Sequence, residues 1–132
     1  MPEPQSPRPD ARPVPDTRGR RILVVEDDFL IAQDLQRALE ALGAVVLGPV
    51  PRVADALAML EGEAVQPDAA TLDVNLDGEM VYPLADDLRA RGVPFLFVTG
   101  YDAGSIPRDY AEVPVCEKPG DVGPCLGQLW RS

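Results

Sequence analysis

From Arg21 onward, short unbroken apolar runs alternate with stretches of helical period. Residues 22–25, Ile-Leu-Val-Val, are β-branched and lack polar alternation, the mark of a strand covered on both faces. Ile31, Leu35, Ala38 and Leu42 then fall at helical spacing, with Asp28 placed as N-cap and Gly43 as stop. Residues 44–47 read as a second strand, and Pro51 can open a second helix with Val53, Leu57 and Leu60 on one face. A short third strand over 69–72 leads to a third helix marked by Val81, Leu84, Ala85 and Leu88 and closed by Gly92. Residues 93–98 form a fourth strand and 113–116 a fifth. Between these two, Gly104 and Pro107 interrupt a stripe of Ala103, Ile106 and Tyr110, so the fourth helix is expected to be short and irregular. Val122, Leu126 and Leu129 space a weak last helix broken by Gly123, Pro124 and Gly127. Strands alternating with helices imply an α/β fold with a five-stranded parallel sheet, and right-handed crossovers make it doubly wound.

Composition changes this picture at the N-terminus. Residues 1–20 carry six of the fifteen prolines and almost no large apolar side chain, too little to offset the entropy of ordering. They read as a disordered Pro/Arg-rich arm, in which Pro4-Gln5-Ser6-Pro7 matches a PxxP pattern as any such tail would. The remaining 21–132 supplies one domain, since 132 residues leave no room for a second core. The charge is −10, from 22 acidic and 12 basic residues, and the basic ones lean toward the arm. Nucleic acid is a poor partner for such a chain, because phosphate-backbone binding needs clustered Lys and Arg. With no histidine there is no Ser-His-Asp or Cys-His nucleophile pair, no His-ligated zinc and no phosphohistidine carrier. Cys116 and Cys125 read as small apolar residues rather than a disulfide framework. No apolar stretch has signal-peptide or membrane-spanning character, so a cytoplasmic protein with no membrane partner is expected.

In a doubly wound sheet, ligands gather at the carboxyl ends of the strands. Strand one is followed by Glu26, Asp27 and Asp28, strand three by Asp73, strand four by Thr99 and Gly100, and strand five by Lys118 and Pro119. Lys118 is the only lysine; every other basic residue is Arg. Taken singly, an Asp here is a cap, a Thr-Gly a turn and a Lys-Pro a solvated end. Their convergence on one edge points instead to phosphoryl transfer onto a carboxylate. Clustered acids repel, a divalent ion relieves that cost, and hard oxygen ligands suit Mg2+. One carboxylate can then act as nucleophile while a lysine and a hydroxyl neutralise the phosphoryl oxygens.

Ile22-Leu23-Val24-Val25-Glu26-Asp27-Asp28, Leu72-Asp73-Val74-Asn75, Phe97-Val98-Thr99-Gly100 and Lys118-Pro119 together resemble the receiver domain of bacterial two-component response regulators. The resemblance covers roughly residues 20–131. It implies a flavodoxin-like sheet of order 2-1-3-4-5, with Asp73 as phosphoacceptor and Thr99 and Lys118 contacting the phosphoryl group. Asp27 would hold Mg2+ with Glu26 acting through water, and Asp73 and the Asn75 backbone carbonyl would complete the ligands. The run Phe-Val-Thr-Gly-Tyr also resembles a single-domain subgroup (FATGUY) with a Phe-Ala-Thr-Gly signature. Two departures concern output: Val115 stands where receivers carry an aromatic switch residue, for which Tyr101 is the candidate substitute, and Gly120 stands where Phe often follows Lys-Pro.

Two decoys are set aside. Residues 73–78 spell the start of a calcium loop, but its twelfth position is Leu84 and a strand precedes it. A DxD phosphatase would need an acid where Asn75 stands. The reading is therefore a stand-alone receiver, not an enzyme, that accepts a phosphoryl group from a histidine kinase or phosphotransfer protein. With no effector domain following, it would act through an unknown effector protein. The alternatives are a pseudo-receiver serving as a constitutive binding module, and a phosphate sink.

Overall fold

The computed structural model describes residues 17–62, 66–100, 106–117 and 125–126. Its elements, in chain order, are β1 (Arg21–Val25), α1 (Phe29–Ala41), β2 (Val45–Val50), α2 (Val53–Glu61), β3 (Ala69–Asp73), β4 (Asn75–Leu76), β5 (Glu79–Met80), α3 (Tyr82–Ala90), β6 (Phe95–Thr99) and β7 (Val115–Glu117). Five strands form one parallel sheet in the order β2-β1-β3-β6-β7, the doubly wound arrangement expected. Successive side chains point to opposite faces, and the inner strands β1, β3 and β6 are buried on both. Leu23, Val25, Ala70, Leu72, Phe95 and Phe97 pack with α2 and α3. Ile22, Val24, Ala69, Leu96, Val98 and Cys116 pack with α1 and Leu126. Cys116 is a buried free thiol and Cys125 a half-buried one.

Local chemistry sets the element ends. Asp28 caps α1 by accepting from Leu30 N at 2.9 Å and Ile31 N at 3.1 Å. Gly43, at φ +88°, ends the helix in the left-handed region that glycine tolerates. The buried stripe of α1 is Ala32, Leu35 and Leu39, while Ile31 and Ala38 flank it and Leu42 lies exposed at the C-cap. The helix thus faces the sheet about one residue off the expected register. α2 begins two residues after Pro51, with Arg52 as an N-cap that offers no side-chain bond. Val53 N instead donates to Glu79 Oε1 at 3.4 Å, reaching across from β5.

Strand limits shift around proline and glycine. β2 runs through Gly48-Pro49 to Val50, and one extra residue bulges where Leu23 pairs Leu47 and Val25 pairs Val50. An edge strand tolerates proline because its outer N–H needs no partner. Gly48 is obligatory: it sits at φ +94°, and a Cβ there would lie 2.7 Å from Val50 N. β6 starts at Phe95, after Pro94, and includes Thr99. β7 is shortened to three residues because Val113 closes a turn onto the Tyr110 carbonyl before Pro114.

A hairpin, β4-β5, fills what reads in the sequence as a simple polar turn into α3. Asp77 (φ +53°) and Gly78 (φ +93°) form its two-residue turn, the conformation Asp-Gly favours between antiparallel strands. Where a short, irregular fourth helix is expected, the described residues show one 3-10 turn, Arg108–Tyr110, with Tyr110 buried and Ile106 packed on the core. Ala103 and most of the weak last helix lie outside the described residues, as does the arm up to position 16. Residues 17–20, at the end of the expected arm, instead fold back: Gly19 N donates to Gly43 O at 2.7 Å, and Thr17 is buried.

Two consequences are measurable. Thr71 Oγ1 on β3 is buried and finds no hydrogen-bond partner among the described residues. Replacement by the near-isosteric valine relieves that desolvation, so Thr71→Val should raise stability in urea denaturation by roughly 1 kcal/mol. Burial pushes the Tyr110 hydroxyl up to about 12, and its bond to Asp86 adds to the rise. The fold therefore favours the neutral phenol. This contribution is fully present below the ordinary tyrosine value near 10 and is lost as pH rises through about 12. In an ultraviolet titration of the folded protein Tyr110 should ionise late, a step missing from Tyr110→Phe.

Candidate functional site

Parallel pairing brings the polar strand ends to one edge. Val25 lies opposite Leu72, so the residues that follow, Glu26 and Asp73, emerge side by side from β1 and β3. Asp73 in turn lies opposite Val98, so Thr99 stands one residue beyond it on β6. The carboxylate oxygens of Glu26, Asp27 and Asp73 come within 4.8 Å of one another. Glu26 is 3% exposed, Asp73 7% and Thr99 5%, whereas Asp27 is open to solvent. Such a group could hold a cation: three acids on two adjacent strands, two of them withdrawn from water, are a hard-oxygen set.

Each acid is positioned by its neighbours. Glu26 N donates to Val50 O at 3.0 Å, tying the end of β1 to β2, and Glu26 Oε2 accepts from Asp28 N at 3.1 Å. Asp28 is spent on the cap of α1, which separates it from the two acids before it. Asp73 Oδ1 accepts from Asn75 N at 3.3 Å. The Asn75 side chain faces away from this task, its Oδ1 accepting from Gly78 N at 2.7 Å and pinning the hairpin turn. A cavity of about 250 Å³ opens beside Glu26 and Asp27 against α1, with Phe29, 74% exposed, at its rim.

Of the residues singled out in the sequence, the structure thus assembles Glu26, Asp27, Asp73 and Thr99 on one edge, with Asn75 beside Asp73. Lys118 and Tyr101 lie outside the described residues, although Glu117, just before Lys118, pairs with Thr99. Sequence patterning missed the Glu79 contact to α2 and the hairpin that carries it. The Asp77-Gly78 pair was the available signal, but strands of two residues are too short to show alternation. It also missed the meeting of Tyr82, Tyr110 and Phe97, which come from three separate elements.

No family model matches the chain. The solution structure of SdrG from Sphingomonas melonis Fr1 is 40% identical, with a TM-score of 0.71, over 84% of this chain and 92% of that one. A CheY-like response regulator receiver domain from Methylobacillus flagellatus is 26% identical, with a TM-score of 0.70, over 84% of this chain and 98% of its own. The phyllosphere-induced regulator PhyR of Methylorubrum extorquens is 35% identical over 82 residues, 61% of this chain; the chain matches 30% of PhyR's length. The chain therefore belongs to the family of SdrG, and its fold is that of the CheY-like response-regulator receiver domains.

Proposed function

We propose that the protein is a phosphoryl-accepting receiver in which Asp73 is the acceptor and Mg2+ the cofactor. The observation that carries this reading is the approach of the Glu26, Asp27 and Asp73 carboxylates to within 4.8 Å beside the buried Thr99 hydroxyl. The donors are carboxylate oxygens, which fit a hard divalent cation. Asp27 and Asp73 would ligate it directly, Glu26 through water, and the Asn75 carbonyl would add a backbone ligand. When bound, the ion offsets the mutual repulsion of the acids and the charge of an incoming phosphoryl group.

The remaining work falls to the chain. A carboxylate oxygen of Asp73 attacks phosphorus as the P–N bond to a phosphohistidine breaks, and the released imidazole nitrogen takes up a proton. Asn75 N, bonded to Asp73 Oδ1, fixes the carboxylate plane. Thr99 donates its hydroxyl to a phosphoryl oxygen, and Lys118 supplies the opposing positive charge. The donor is a histidine kinase or phosphotransfer protein, and the modified domain signals by changed binding to an effector. The Phe-Val-Thr-Gly-Tyr run supports placing it with single-domain regulators of the Phe-Ala-Thr-Gly type, with Tyr101 as the residue that reports the modification.

Two measurements test this. Magnesium at about ten times its dissociation constant should stabilise the fold by ~1–1.5 kcal/mol in thermal melts, and Asp27→Ala should abolish the gain; an unchanged melting curve removes the metal site. Treatment with acetyl phosphate and Mg2+ should give one acid- and base-labile phosphate that is absent from folded Asp73→Asn. Label persisting in that variant would mean another acid is the acceptor. No label in the wild type would leave the fold as a constitutive binding module.

A further inference from the structure

The chain reaches the sheet along the foot of α1. Thr17 is buried, Gly19 N donates to Gly43 O at 2.7 Å, and Val45 N donates to Arg20 O at 2.8 Å. Gly43 leaves room for this approach, since a Cβ on it would stand 2.5 Å from Arg18 Cγ. Residues before Thr17 therefore start from a fixed point at the C-terminal end of α1. At the other end of the same helix lies the cavity of about 250 Å³ beside Glu26 and Asp27. Gln33 and Gln36 line it from α1, and Pro49 and Pro51 from the end of β2 and the turn after it. Gln36 Nε2 donates to Glu40 Oε2 at 3.2 Å, so polar side chains continue down α1 toward Gly43.

This lining matches an extended, proline-rich segment that carries a cation. A polyproline II helix has no internal hydrogen bonds, so its carbonyls are open to outside donors. Grooves that take it offer flat apolar surfaces, aromatic ones above all. Here Pro49, Pro51 and the exposed ring of Phe29 are the surfaces, and the Gln33 and Gln36 carboxamides are the donors. Glu26 and Asp27 put negative charge at the end of the cavity, where an arginine fork can bind carboxylate and stack on the ring. The chain itself carries such a segment, Pro7-Arg8-Pro9, ahead of Pro13 and Pro15. Proline is already restricted in φ, so docking it costs less entropy than docking an ordinary loop.

The reach fits. α1 has 13 residues, which puts its ends about 20 Å apart. Nine residue steps separate Arg8 from Thr17, about 28 Å of polyproline II, enough to run the length of α1 and enter the cavity. Arg12 is five steps away, about 16 Å, and its backbone stops short. We propose that residues 7–16 dock along α1 and place Arg8 in the cavity against Asp27 beside Glu26, so that the arm is an intramolecular cover for the acidic edge. The docking rests on the cavity and the reach; its effect on the metal rests on the receiver reading above. The guanidinium balances the charge that Mg2+ would balance, so the two exclude one another. An arm docked about four-fifths of the time leaves roughly one edge in five open and weakens Mg2+ about fivefold.

The test uses the full chain, 15N-labelled and dilute, with and without Mg2+. Before metal is added, Arg8→Glu should move the Asp27 and Phe29 amides and the Gln33 and Gln36 side-chain signals. It should then bind Mg2+ about fivefold more tightly than the wild type. Arg12→Glu makes the same change in net charge and is the control. It should leave the Asp27 and Phe29 amides in place and alter Mg2+ affinity by less than about twofold. Unmoved cavity signals in Arg8→Glu, or an equal response to Arg12→Glu, overturn the docking. Wild-type cavity signals that move on dilution would give the cavity to the arm of a second copy and overturn the intramolecular form. If the cavity responds to Arg8→Glu while Mg2+ moves no signal in any of the three proteins, the docking stands and the metal reading falls. If Mg2+ binds all three with one midpoint, the cover is wrong and the metal reading stands.

Discussion

Everything at the candidate site depends on parallel register. In a parallel sheet all strands end on the same edge, so a polar residue placed just past each apolar run meets its counterparts without any dedicated scaffold. Val25 opposite Leu72 and Asp73 opposite Val98 set that alignment, and two largely apolar layers hold it from either face. Slipping one strand by a residue would invert its side chains and send Glu26 or Asp73 to the other face. The core is therefore what makes neighbours of three acids that would otherwise repel. Two carboxylates at 4–5 Å disfavour each other by ~4 kcal/mol at an effective dielectric near 20, and by about 1 kcal/mol where water intervenes. An edge that holds such an arrangement is suited to a ligand that brings positive charge.

The polar residues around these acids divide the labour. Asp28, third in the acidic run, is consumed by the α1 cap and so anchors the backbone from which Glu26 and Asp27 project. Asn75 binds Asp73 through its amide and Gly78 through its side chain, which joins the acid to a hairpin whose Glu79 meets the first turn of α2. The acid is thus linked to the start of α2 through the hairpin. The path toward α2 is a short series of hydrogen bonds at exposed or half-buried residues, where local opening is least costly.

The order of elements, the two buried faces and the acidic edge were legible in the chain because they rest on signals of adequate length. Strands of five or six residues and helices of nine to thirteen display their periods clearly. The Asp28 cap and the Gly43 and Gly92 stops announce themselves by residue type, and both glycines adopt the positive φ that only glycine takes easily. Less was legible where length ran out. The two-residue strands β4 and β5 have no period to read, and β2 continued past Gly48-Pro49 because an edge strand can absorb a bulge that an inner strand could not.

What the amino-acid order determined by itself was the kind of chemistry available: carboxylates after the first and third strands, a hydroxyl after the fourth, a lone lysine after the fifth, and no histidine anywhere. These follow from residue identity and local pattern, which need no partner distant in the chain. Only the tertiary structure decided which acids stand together and which is spent on a helix end. It likewise decided that Thr17–Arg20 folds against Gly43, and that Tyr82, Phe97 and Tyr110 form one cluster. Contacts between residues dozens of positions apart depend on register, helix rotation and packing, and none of these is written in the spacing of neighbours.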